Sequence, residues 1–224
     1  MTAQHTFNTV VGILGNICAM LLFLSPLPTF WNIFKTKEVG QFTPAPYVLT
    51  VLNCSFWIIY GLPAVKNATL IISINTAGLV VEFCYVTIYM YYVAGTAKKR
   101  TWAFIVACAI LFVIITCVAL IKLDEPNIRT KMIGSVCVII GIFQSFAPLT
   151  VMAEVIRTKS VKYLPILLSV WIFLNGSIWT AYGCWPADVF IIIPNAASIA
   201  FGIMQMTLWC IYHKNDQKTG QKLT

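Results

Sequence analysis

Hydrophobic positions in this chain form runs too long for the one-sided stripe of a soluble helix or the alternation of a half-buried strand. Residues 1–34, 39–65, 101–121, 132–153, 163–187 and 189–212 contain no Asp, Glu, Lys or Arg, and 67–81 is separated from 83–97 only by Glu82. A helix needs about 20 residues, at about 1.5 Å each, to cross a hydrocarbon layer of roughly 30 Å. The pattern therefore predicts an all-α membrane protein with seven spans, near 8–34, 44–64, 68–93, 101–121, 132–156, 163–186 and 188–212. The first run has no basic region before it and is expected to be a span, not a cleaved leader. The connections are short.

Composition agrees. The 224 residues are 59% hydrophobic and 10% charged, too few charges to cover a soluble surface. Lys and Arg set the orientation. With the N-terminus outside, the cytosolic segments carry Lys35, Lys37, Lys98, Lys99, Arg100, Arg157, Lys159, Lys162, Lys214, Lys218 and Lys222, and the other side carries Lys66, Lys122, Arg129 and Lys131. The expected topology is N-outside and C-cytosolic, and the +8 charge favours an anionic lipid leaflet. No basic face on a soluble fold offers itself to nucleic acid. All eight cysteines fall within or beside spans, no CxxC occurs, and His5 and His213 lie at opposite ends. They read as small buried hydrophobes, with no metal site and no cofactor.

The chain repeats itself. FLSPLPTFWNIFKTK (23–37) returns in FAPLTVMAEVIRTK (146–159), so that Pro26 and Pro148, and Lys37 and Lys159, stand 122 residues apart. NCSFWIIYG (53–61) returns as NGSIWTAYG (175–183), and LIISIN (70–75) as FIIIPN (190–195). Spans 1–3 and 5–7 are thus two copies, and span 4 has no counterpart. An odd connector leaves both copies in the same membrane orientation, a known transporter plan with the substrate at the repeat interface. The expected division is 1–97 for the first repeat, 98–124 for the linker helix, 125–213 for the second repeat and 214–224 for a short cytosolic tail.

With these residues in view, the chain resembles the SWEET family of sugar uniporters over nearly its whole length. The likeness is carried by GILGN (12–16), FLSPLPTF (23–30), PYVLTVLNCSFWIIYGLP (46–63), APLTVM (147–152), RTKSVKYLP (157–165) and the two Asn-bearing third helices. KSVKY and FLNGSIW resemble most the plant members that carry hexoses. The resemblance implies facilitative, bidirectional transport of a small neutral sugar, glucose or another hexose first and disaccharides second. The plasma membrane is expected ahead of the vacuolar membrane, and a homo-oligomer is compatible with the sequence.

The residues point to a site on their own account. Trp57 lies seven residues before Ala64 and Asn75 eight after Asn67; Trp179 lies seven before Pro186 and Asn195 seven after Asp188. Each is expected roughly 10–12 Å below the outer surface by helix rise. Asn53 and Asn175 lie one turn deeper. Asn side chains both donate and accept hydrogen bonds, as sugar hydroxyls do, and indole faces suit the C–H faces of a pyranose. A helix-stapling role for Asn and an interfacial role for Trp are the plainer readings of any one of them. Pro26, Pro46, Pro148 and Pro165 read as four bends on the cytosolic side. In the family, positions like these form a proline tetrad that acts as an inner hinge, and residues like Tyr60 and Asp188 pair to close the outer mouth. Glu82, the carboxylate inside a span, reads as structural, with a proton-coupling role as the competing reading. Glu154 is expected to pair with Arg157. The spans hold no catalytic pair of the kinds needed for intramembrane hydrolysis. A carrier of amino or organic acids with the same repeat plan is the alternative, for which a buried charge would be expected.

Overall fold

The computed structural model describes residues 3–162 and 164–221; Tyr163, the expected first residue of the sixth span, and 222–224 of the expected tail lie outside them. The described chain is helical. Span 1 is made of α1 (Ala3–Leu24) and α2 (Leu27–Thr36), and span 5 of α6 (Pro126–Ser145) and α7 (Ala147–Thr158). The remaining spans are α3 (Ala45–Gly61), α4 (Thr69–Tyr92), α5 (Gly95–Cys117, continued by a wide turn over Val118–Lys122), α8 (Ile166–Gly183) and α9 (Val189–Gln221). Among the described residues, six spans are long and apolar enough to cross a membrane, and α3, at 17 residues, reaches roughly 25 Å at about 1.5 Å per residue. This is the 3+1+3 plan.

The repeated proline passages turn out to be helix breaks. Pro26 has no N–H to give the Leu22 carbonyl, which instead accepts from the Ser25 amide at 3.1 Å and the Ser25 hydroxyl at 2.7 Å. Phe146 makes the corresponding break, ahead of Pro148 in the first turn of α7. The repeated lysines have a structural reason too. Lys37 (φ 58°) and Lys159 (φ 52°) both end their spans in the left-handed conformation that commonly terminates helices. Two expected bends are absent, however. Pro46 sits in the first turn of α3 and Pro165 immediately precedes α8, so both begin helices where a missing N–H costs little.

By packing, the chain forms two compact units, Ala19–Ile140 and the rest, up to Cys18 and from Gly141 onward. In the first unit, Phe30 and Ile33 from α2 bury against Tyr85, Tyr89 and Val93 at the end of α4, with Tyr47 of α3 against the same group. In the other, α8 packs along α9, and Met152, Val155, Trp179, Ile191 and Gln205 are buried. Within α5 only Thr101 is buried, while Ile110, Val113 and Ile114 are more than half exposed, as befits a linker lying in lipid. Intramembrane hydroxyls largely serve their own helix: Thr50, Ser55, Thr87, Ser177 and Thr207 each donate to the carbonyl four residues back. Glu154 and Arg157 form the expected pair at 2.8 Å on the surface. The cysteines depart from expectation. Cys18, Cys54 and Cys137 are buried, but Cys84, Cys117, Cys184 and Cys210 are exposed, because an apolar thiol needs no shelter from lipid. The last helix also runs on to Gln221, so much of the expected tail is helical.

Candidate functional site

The helix ends reset the expected depths. Span 2 stops at Gly61, not Ala64, and span 6 at Gly183, not Pro186. Trp57 and Trp179 are each four residues from these ends, roughly 6 Å by helix rise. Asn75 and Asn195 each stand six residues into α4 and α9, roughly 9 Å. The two copies keep the same register, nearer the helix ends than expected. The turns absorb the length difference between them. The Gly61 carbonyl accepts from Ala68 at 2.8 Å and the Gly183 carbonyl from Asp188 at 2.7 Å, across turns that differ by two residues.

The Asn side chains are arranged alike in both copies. Asn75 Nδ2 donates to the Ile71 carbonyl at 2.9 Å, and Asn195 Nδ2 to the Ile191 carbonyl at 2.8 Å. Tying the amide to its own helix fixes each side chain and leaves Oδ1 with one N–H for another partner. One turn from the tryptophans, Asn53 and Asn175 each have a buried Oδ1 that meets no donor among the described residues. A buried acceptor without a donor is costly, on the order of 1–3 kcal/mol. The same orphan recurs at matched positions in the two repeats.

The indoles are also held alike. Trp57 meets Tyr60 edge-on at 5.3 Å and 80°, and Trp179 meets Tyr182 at 5.3 Å and 70°. Trp179 is pressed closer than its twin. A Cβ on Gly15 would lie 2.9 Å from Cε2 of its ring, so only glycine admits the indole there. Gly15 belongs to the GILGN passage, whose role no local pattern reveals.

Tyr60 is fully buried and Asp188 is 5% exposed. Asp188 Oδ1 accepts from the Phe190 amide at 3.1 Å, capping the start of α9. The matching position in the first repeat is Ala68, so this cap belongs to one copy only. A cavity of about 190 Å³ between α3, α4 and α5 lies elsewhere. Val48, Leu52, Phe83, Val86 and Phe112 line it, and its Ser55 hydroxyl is donated to Val51 at 2.7 Å. That cavity suits an apolar chain and has little for a polar solute. Pro26 and Pro148 lie at the helix breaks; Pro46 and Pro165 lie at helix starts.

Comparison with known proteins places the chain. The family model described as "Sugar efflux transporter for intercellular exchange" matches twice, over residues 9–97 and 131–217. The chain is 40% identical over 223 residues to bidirectional sugar transporter SWEET7b of Oryza sativa subsp. japonica, covering 99% of this chain and 84% of that one. It is 41% identical to bidirectional sugar transporter SWEET5 of Arabidopsis thaliana, covering 96% and 90%. The 3.7 Å structure of a eukaryotic SWEET transporter superposes with a TM-score of 0.90 at 31% identity, covering 95% of this chain and all of that one.

The capping contact of Asp188 can be tested by substitution. Asp188→Ala should lower stability by about 1 kcal/mol, the usual worth of a lost cap, whereas Asp188→Asn keeps the acceptor and should be nearly neutral. Thermal unfolding of the purified variants reads the difference.

Proposed function

Because the chain belongs to the SWEET family of sugar transporters, we propose that it carries a hexose, glucose first, down its gradient in either direction by alternating access. The observation that carries this reading is the duplicated set of polar groups. In each repeat one Asn is fixed with its Oδ1 available, a second has an orphaned Oδ1, and a tryptophan stands one turn from the latter. Sugar hydroxyls supply the missing donors, and the indoles supply flat apolar contact. None of these groups is ionised, which favours a neutral sugar over an amino or organic acid. We assign Asn75, Asn195, Asn53, Asn175, Trp57 and Trp179 to the sugar, with the repeats at 1–97 and 125–213 as the working halves and 98–124 as their linker. Lys and Arg favour N-outside, C-cytosolic insertion, with the plasma membrane as the working location. Tyr60 and Asp188 are assigned to the outer mouth.

Replacing Asn75 or Asn195 with Ala should remove most hexose uptake while the protein still reaches the membrane. Uptake at the unmodified level in both variants would refute the assignment.

Coupling to protons is not part of this reading. Glu82 is 4% exposed and its Oε2 meets no partner among the described residues, and the matching position in the second repeat is Gly202. An imposed pH difference should drive no glucose accumulation in liposomes, and Glu82→Gln should transport as before. Accumulation that this substitution abolishes would make Glu82 a proton carrier.

The helix breaks at Pro26 and Pro148 are proposed as the inner hinges. Restoring the missing N–H with Ala should straighten and stiffen spans 1 and 5 and slow the switch between open states. Pro46 and Pro165 begin helices, so substituting them acts on packing at the mouth and not on a bend. For Pro26→Ala and Pro148→Ala, exchange flux should fall about tenfold while equilibrium affinity stays within about twofold, as expected of an interaction outside the site. Loss of affinity with flux per bound sugar preserved would mean that these prolines shape the site.

A further inference from the structure

We infer that Tyr85 is a positioning residue for the first hinge, a clasp on α4 that holds both flanks of the Pro26 break. The inference rests on the hinge reading above and adds the group that sets the hinge's resting shape.

The break leaves the end of α1 short of partners. Leu22 is served locally by Ser25, but the Phe23 carbonyl accepts from the Tyr85 hydroxyl, 62 residues away, at 3.1 Å. On the other side of the break, the Tyr85 ring stacks on Phe30 of α2 with centroids 4.3 Å apart and an interplanar angle of 13°. One side chain therefore holds the last turn of α1 by its hydroxyl and the first turns of α2 by its ring. Tyr85 and Phe30 are both 2% exposed, and Tyr47 meets each of them edge-on. Two turns back along α4, Gly78 completes the grip. A Cβ there would collide with the Phe23 ring, so glycine lets α4 approach the same residue whose carbonyl Tyr85 holds.

This arrangement belongs to one repeat. By the register that pairs Asn75 with Asn195, Tyr85 corresponds to Gln205, which is also buried at 4%, and Phe30 corresponds to Met152. A glutamine can hydrogen-bond but cannot stack a ring. The Pro26 hinge is thus clasped by two kinds of contact from one residue, and flexing it must strain or break them. The second hinge carries no such aromatic pair at these positions.

Tyr85→Phe tests this, since it keeps the ring and its stacking and removes only the hydroxyl. Amide hydrogen exchange would be followed by mass spectrometry on the full chain in lipid nanodiscs, with glucose exchange flux and equilibrium affinity measured on the same preparations. Residues 22–33 should exchange about fivefold faster, the scale of one net hydrogen bond, while 144–155 stay unchanged. Flux should rise at least twofold with affinity unaltered. Tyr85→Leu, which also loses the stacking, should show a larger local effect. No acceleration at 22–33, acceleration spread evenly over all helices, or local acceleration without a change in flux would each overturn the clasp. Pro26→Ala serves as the control for the underlying reading. If it leaves flux unchanged, the hinge itself is wrong; if it cuts flux while Tyr85→Phe leaves 22–33 unmoved, only the clasp is wrong.

Discussion

In a bilayer every backbone N–H and C=O must find its partner inside the protein, because the hydrocarbon offers none. This constraint explains where polar groups go in this chain. Hydroxyls of Thr50, Ser55 and Ser177 fold back onto their own helices. The amides of Asn75 and Asn195 do the same with one N–H. Where Pro26 interrupts the ladder, Ser25 and Tyr85 take up the released carbonyls. Against that economy, the orphaned oxygens of Asn53 and Asn175 stand out. Their match across the duplication sets them apart from the unmatched orphans at Asn8, Thr116 and Thr180.

Duplication preserves some residues and lets others drift. Asn, Trp and Tyr recur with the same spacing from the helix ends, and the helix-terminating lysines recur in the same left-handed conformation. Other matched positions have diverged: Tyr85 against Gln205, Glu82 against Gly202, Ala68 against Asp188. The helix breaks and the caps are built separately in each copy, so these positions are free to differ. The two copies are therefore alike in the placement of their Asn and Trp side chains and unlike in the contacts around their helix breaks.

Much of this was legible in the sequence because its signals are local. Long uncharged runs mark the spans, and the duplicated NCSFWIIYG and LIISIN passages fix the relative register of Trp57 and Asn75 with their twins. Absolute depth was not, since it depends on helix ends. Gly61 ends α3 two residues before Pro63, and the restriction that proline places on the residue before it was the signal available. Pro46 and Pro165 read as bends because nothing local distinguishes a proline inside a helix from one in its first turn. Lipid-facing and buried positions are equally apolar, which is why Cys84 and Cys117 were expected inside. Tyr85 and Gly15 were missed because their partners, Phe23 and Trp179, lie 62 and 164 residues away.

A neutral polyhydroxylated substrate meeting uncharged acceptors is the central proposal. The most direct measurement is radiotracer uptake by the purified protein in liposomes, run inward and outward across hexoses, sucrose and amino acids without any ion gradient. Glucose or another hexose should equilibrate in both directions, with amino acids excluded. Movement of amino or organic acids with no movement of any sugar would contradict it.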